Sequence, residues 1–82
     1  GVSVDYRNFS ECLRMARAKL NLPVKVLHSR LPPWAPRVHM VTLWRYEQGL
    51  AVPSLVMACA IAKVYEIEPA SKLIDAMLLD LV

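Results

Sequence analysis

The chain has 82 residues, of which 56% are apolar and only two are glycine. This length allows one small domain with one core, and this composition excludes a disordered tail or a low-complexity linker. Residues 1–45 hold eight Lys or Arg against two acidic residues, a charge of +6, whereas residues 46–82 hold two against five, a charge of −3. A basic half favours contact with a polyanion, although small proteins also acquire lopsided charge by chance.

The two cysteines are too few for a disulfide-stapled secreted scaffold. Cys12 and Cys59 fall in helix-like stretches, and we expect both to be reduced, small core side chains of an intracellular protein. Residues 1–8 lack the apolar segment of a signal peptide. The longest apolar run, residues 50–62, is interrupted by Pro53 and is shorter than the roughly 20 residues needed to cross a bilayer. We therefore expect no membrane association.

The spacing of apolar residues predicts five helices and no strand, hence an all-α fold. The predicted helices span residues 5–20, 23–31, 39–48, 54–65 and 69–81. Ser3 or Asp5 can cap the first helix, and Asn21 is a candidate left-handed stop. Gly49 ends the third helix, and Ser54 caps the fourth.

Two segments have a distinctive composition. The fourth predicted helix is apolar on most sides, so we expect it to be central and packed on several sides. Three prolines lie within residues 32–36 and exclude a helix interior there, which predicts a stiff loop. We expect Trp34 to cover apolar surface beneath that loop; the alternative is an exposed contact residue. The last helix is expected to keep Asp75 and Asp80 outside its apolar stripe.

Catalytic and metal-binding patterns are missing from the sequence. It contains no Cys-x-x-Cys, no His-Glu-x-x-His and no glycine-rich phosphate loop. His28 and His39 have no companion ligand at metal spacing, so we expect a surface group and a polar residue at a helix start. The expectation is a protein that is not an enzyme and needs no metal or cofactor.

Two segments carry a family resemblance. Leu13–Pro23 reads LRMARAKLNLP, and Val41–Pro69 reads VTLWRYEQGLAVPSLVMACAIAKVYEIEP. Together they resemble the lambda-repressor-like, Cro-type (XRE) helix-turn-helix family, and the resemblance spans about three quarters of the chain from its first to its last residue. The more specific part is the Tyr-Glu-Gln-Gly segment, residues 46–49, followed four residues on by Pro-Ser. The resemblance implies a compact five-helix DNA-binding domain, here residues 1–82 as a single domain.

The resemblance also implies an internal brace. In this family an arginine on the first helix pairs with the glutamate before the glycine turn. Arg17 and Glu47 stand at the matching positions, so we predict a salt bridge between the first helix and the third. The alternative is that both are solvated surface charges.

By the same resemblance the third helix is the recognition helix, which enters the major groove with its N-terminal residues near base edges. Arg45 is expected to pair with guanine, and Val41 or Thr42 to touch a thymine methyl group. Met40 and Trp44 either read bases as well or pack inward. His39 and the helix start are candidates for a phosphate contact. Further candidates for contacts to DNA, mainly to phosphates, are Lys25, Arg30, Arg37 and Gln48.

The chain departs from the family pattern in two ways. Residues 31–38 make the turn between the second and third helices about five residues longer than usual. His28 stands where the family has a small residue, commonly alanine. A longer turn lets the helices separate and leaves room for the imidazole. It also places Arg37 where it can approach the DNA backbone in a way that standard members of the family cannot.

The last helix, within residues 69–82, is a candidate for dimerisation, because regulators of this family commonly dimerise through their final helices. The alternative is that it only completes the core of the monomer. The apolar residues expected at the dimer interface are Leu73, Ile74, Met77, Leu78 and Leu81.

The function implied by the resemblance is sequence-specific binding of double-stranded DNA by a transcriptional regulator. The expected mode is repression by a homodimer on a palindromic operator, in the bacterial cytoplasm near the nucleoid and encoded by a phage or another mobile element. A rival is an antitoxin or anti-activator module whose main partner is another protein. A third reading is a nonspecific architectural DNA-binding protein.

Overall fold

A computed structural model describes residues 5–81, which form five α-helices and no strand, so the predicted all-α class is confirmed. The helices are α1 (Arg7–Leu20), α2 (Val24–Ser29), α3 (Met40–Glu47), α4 (Leu55–Val64) and α5 (Ser71–Asp80). Each begins and ends within two residues of its predicted bounds. None of the helices in this part of the chain combines the length and apolar character needed to span a membrane.

Three of the residues predicted to begin or end helices do so. Asn21 follows α1 in the left-handed conformation, with φ of 53°. Gly49 follows α3 with φ of 74°, where a side chain would be strained and where a Cβ atom would come within 3.3 Å of Ser10 Oγ. Ser54 Oγ accepts a hydrogen bond from the Met57 backbone N–H at 3.3 Å, which caps α4. These positions were readable because capping depends on local backbone conformation.

The start of α1 is capped differently from the prediction. Ser3 lies outside the described residues, and Asp5 forms an exposed ion pair with Arg7 at 3.2 Å. The cap is Asp80, from the end of α5: its carboxylate accepts the backbone N–H groups of Asn8 at 2.8 Å and of Phe9 at 2.9 Å. The sequence placed Asp80 outside the apolar stripe of the last helix and did not predict this contact with α1. A carboxylate satisfies unpaired N–H groups at a helix N-terminus and suits the positive end of the helix dipole.

One hydrophobic core joins the helices. α1 packs against α3 and α5, α2 packs against α3, and α4 contacts α5. The rings of Phe9 and Tyr46 meet edge to face across the α1–α3 contact, with centroids 6.4 Å apart. The side chains with no exposed surface include Phe9, Leu13, Leu27, Leu43, Ile61 and Leu73.

Four residues predicted to be buried are exposed, and a fifth is only partly buried. Leu55, Val56 and Cys59 on α4 are exposed, so this helix has one solvent-facing side. Trp34 is about half exposed rather than covering the surface beneath its loop. Cys12 is half-buried between α1 and α5, and this burial raises the pKa of its thiol. Sequence spacing shows which residues share a helix face, but it does not show which faces find a neighbour.

Candidate nucleic-acid interface

The predicted brace between α1 and α3 is present. Arg17 Nε lies 2.8 Å from Glu47 Oε1 and 3.0 Å from Oε2, and the Glu47 side chain is completely buried. Arg14, one turn earlier on α1, donates from Nη1 to the Glu47 backbone oxygen at 2.6 Å. Two arginines of α1 thus hold the last turn of α3, one through its carboxylate and one through its main chain.

A third partner of Glu47 was not predicted. The Tyr65 hydroxyl donates to Glu47 Oε2 at 2.6 Å from the C-terminal end of α4. Tyr65 is buried; this burial, together with its hydrogen bond to the Glu47 carboxylate, raises the pKa of the Tyr65 hydroxyl. Glu47 therefore links α1, α3 and α4. The sequence feature that could have indicated this contact is a tyrosine at the end of an apolar helix, because the hydroxyl of a buried tyrosine needs a hydrogen-bond acceptor.

The two flanks of α3 differ in their surroundings. We call Leu43, Tyr46 and Glu47, all buried, the inner flank of α3. We call the exposed side the outer flank of α3; it consists of Met40, Val41, Trp44 and Arg45.

The outer flank carries an unusual amount of exposed apolar surface. The exposed fractions are 43% for Met40, 54% for Val41 and 47% for Trp44. Met40 and Trp44 are therefore not buried in the core. Thr42 is half-buried, while His39 before the helix and Gln48 after it are exposed. Most of the predicted base-reading residues are therefore accessible on one surface.

Basic side chains lie around this helix. Lys25 on α2, Arg30 at its end, Arg37 in the loop and Arg45 on α3 are all exposed. Within residues 5–81 none of them forms an ion pair with a carboxylate. Residues 12–46 contain seven Lys or Arg and no Asp or Glu. Apart from Arg17, which pairs with Glu47, these cations form no ion pair within residues 5–81, so the stretch presents positive charge that attracts a polyanion.

The long loop before α3 is tied to α2 by a histidine. His28 Nε2 lies 2.6 Å from the backbone oxygen of Val38, two residues before α3 begins, which makes the imidazole a donor to that carbonyl. The side chain is half-buried and lines a cavity of about 620 Å³ beneath the proline-rich segment. A small residue at position 28 would leave this carbonyl without that donor. The imidazole therefore helps to set where α3 starts.

The predicted dimerisation residues separate into two groups. Leu73 is completely buried in the protein's own core, so its assignment to a dimer interface was wrong. Ile74 and Met77 are partly buried against the same core. Leu78 and Leu81 are exposed, and so is Leu79, which the prediction omitted. Leu79 also lines a groove of about 450 Å³ between α1 and α5, with Met15 opposite.

Comparison of the chain with protein-family models, with curated proteins and with solved structures finds no match. Its likeness to the Cro-type family remains a resemblance of residues and spacing. Among residues 5–81, no three His, Cys, Asp or Glu side chains come together as metal ligands would.

Proposed function

We propose that the chain is a transcriptional regulator that binds double-stranded DNA through α3, without catalytic activity or a cofactor. The observation that supports this most directly is the outer flank of α3, exposed beside unpaired basic side chains and braced from behind through Glu47. An α-helix fits the major groove of B-DNA, and a helix held from behind presents its side chains at a constant angle.

The exposed polar residues have two expected roles, which are contact with phosphates and contact with a base. Lys25, Arg30 and Arg37 contact phosphates and set the position of the protein on the duplex, and His39 and Gln48 contact phosphates at the two ends of α3. Arg45 makes the bidentate contact with guanine O6 and N7. Sequence preference then comes from α3, and most of the affinity comes from the basic residues around it.

Repression follows if two copies occupy one palindromic operator. Leu78, Leu79 and Leu81 form an exposed apolar end of α5 that a second copy can cover. A twofold dimer places its two recognition helices about 34–36 Å apart, one turn of DNA. Such a protein acts in the bacterial cytoplasm and is regulated by its own concentration or by a partner protein.

The rival function is a protein-binding module of the antitoxin or anti-activator type. The same exposed Met40, Val41 and Trp44 favour it, since apolar and aromatic side chains are common at the centres of protein interfaces. A module of this kind does not need the surrounding basic side chains.

Salt dependence distinguishes the two functions. The protein is titrated with a mixed-sequence duplex between about 50 and 200 mM salt, and log K is plotted against log salt. The three cationic phosphate contacts, from Lys25, Arg30 and Arg37, give a slope of about −3 per subunit. Lys25→Ala lowers the slope by about one, whereas Lys72→Ala, an exposed cation beside the α1–α5 groove, leaves it unchanged. Absence of binding at low salt overturns the proposed function.

A second variant addresses sequence preference. Arg45→Ala should relax discrimination at one or two base pairs by about 1–3 kcal/mol while leaving the fold intact. Competition between a selected duplex and random DNA measures this discrimination. Equal binding of both duplexes by the wild type indicates a nonspecific architectural protein instead.

A further inference from the structure

The outer flank of α3 has almost no capacity for hydrogen bonding over its first turn and a half. Met40 and Val41 offer no strong donor or acceptor, and Trp44 offers only its indole N–H. All three are about half exposed, and the next outward residue, Arg45, is the first with several donors.

An apolar flank can recognise only some of the features that bases present in a major groove. Base edges there present donors and acceptors, and an apolar side chain that excludes water from them leaves them unpaired at a cost. The exception is thymine, whose C5-methyl group projects into the major groove as apolar surface. Methyl groups are therefore the features that Met40, Val41 and Trp44 can contact with a gain in free energy.

The charge around the flank indicates DNA rather than a protein as its occupant. Arg30, Arg37 and Arg45 are exposed, and within the described residues none is paired with an acid. Met40 and Trp44 are four residues apart, which corresponds to about 6 Å along a helix axis. That length matches about two base-pair steps of about 3.4 Å.

We propose, on the premise that the chain binds DNA as above, that Met40, Val41 and Trp44 recognise the C5-methyl groups of two or three neighbouring thymines. Arg45 reads a guanine beside that tract. The half-site is thus selected mainly by apolar contact with methyl groups, and Arg45 supplies the hydrogen-bonded contact to a base.

The test uses thymine analogues that differ at C5 alone. A duplex is selected from a random library by the full chain and resynthesised with deoxyuridine in place of thymidine, one position at a time. Deoxyuridine pairs like thymidine but lacks the methyl group. Each contacted position loses about fourfold in affinity. 5-Bromodeoxyuridine, which carries an apolar atom of similar size, restores the affinity.

Variants assign the effect to the flank. Met40→Gln keeps the length of the side chain but adds hydrogen-bonding groups, so it reduces the preference for thymidine over deoxyuridine at one position by about fourfold. Leu55→Gln, at an exposed apolar residue on α4, leaves that preference unchanged.

The outcomes separate the two proposals. If no duplex is enriched, both sequence-specific regulation and the methyl readout are overturned, and the salt titration then shows whether the chain binds DNA at all. If a duplex is enriched but binds equally well with thymidine and with deoxyuridine, the DNA-binding function stands and the methyl readout is wrong. If 5-bromodeoxyuridine fails to restore affinity, or Met40→Gln keeps the full preference, the methyl readout is likewise overturned.

Discussion

The two flanks of α3 depart, in opposite ways, from the rule that proteins bury apolar side chains and expose charged ones. The inner flank buries the carboxylate of Glu47, while the outer flank exposes a methionine, a valine and a tryptophan. Buried charges occur where partners compensate them, and here Arg17 and Tyr65 do so. Exposed apolar clusters are typical of surfaces that meet a partner. α3 is thus held on one side partly by polar contacts, while its other side is exposed.

The largest expected effect is the loss of the arginine that pairs with Glu47. Arg17→Ala should lower the free energy of unfolding by about 3 kcal/mol, because Glu47 stays buried without its cation. Removing one partner of a buried ion pair costs about 3–5 kcal/mol. The low end of this range applies here because the Arg17 side chain is 32% exposed. Urea denaturation measures the change.

The chain contains a matched control for that substitution. Arg7→Ala breaks the other arginine–carboxylate pair, with Asp5, in which both side chains are exposed, and should cost less than about 1 kcal/mol. Equal losses from the two variants would show that burial of Glu47 does not matter to the brace.

The second effect is the loss of the tyrosine donor to the same carboxylate. Tyr65→Phe should cost about 2 kcal/mol, because a buried hydrogen bond to a charged group disappears. Tyr46→Phe is the control: its side chain is also buried, and its hydroxyl makes no hydrogen bond within residues 5–81, so the cost should be under about 1 kcal/mol. Thermal or urea unfolding of both variants checks the difference.

The advantage of Tyr65 over phenylalanine should depend on pH. Because the pKa of Tyr65 is raised in the folded state, its contribution is complete below the usual tyrosine pKa of about 10 and is lost as the pH rises above it. The difference in stability between wild type and Tyr65→Phe should shrink by about 1.4 kcal/mol per pH unit above pH 10. A difference that stays constant to pH 11 would contradict the buried phenol.

A smaller effect is expected from the cap that α5 supplies to α1, the helix that carries both bracing arginines. Asp80→Ala should cost about 1.5 kcal/mol, because the N–H groups of Asn8 and Phe9 lose their acceptor. Asp75→Ala, at an exposed carboxylate on the same helix, should be nearly neutral. If both variants unfold at the same urea concentration, the cap does not contribute to stability.

The smallest effect should come from the outer flank. Val41→Ser should change the free energy of unfolding by less than about 0.5 kcal/mol, because Val41 is exposed and the two residues have similar helix propensity. A loss above 1 kcal/mol, measured by urea denaturation, would mean that the outer flank supports the fold rather than facing a partner.

Much of the candidate site was predictable, but its polar network was only partly so. The Arg17–Glu47 pair followed from matched motif positions, and most of the exposed cations followed from the charge pattern. Tyr65 was missed because it lies 18 residues beyond Glu47, and a tyrosine at the end of an apolar helix does not show which acceptor its hydroxyl meets. Leu73 was misassigned because an apolar stripe looks the same whether a second copy or the protein's own core covers it.

The sequence by itself determined where most of the helices begin and end. Asn21, Gly49, Ser54 and the prolines act through the conformation of a few neighbouring residues, so their effect does not depend on the rest of the fold. Only the tertiary structure decided what each helix face meets. It buried Leu73, exposed Trp44 and Cys59, and brought Asp80 to the start of α1 from about 70 residues away. Burial and long-range hydrogen bonds depend on how whole helices pack, and periodicity along one helix carries no information about its neighbours.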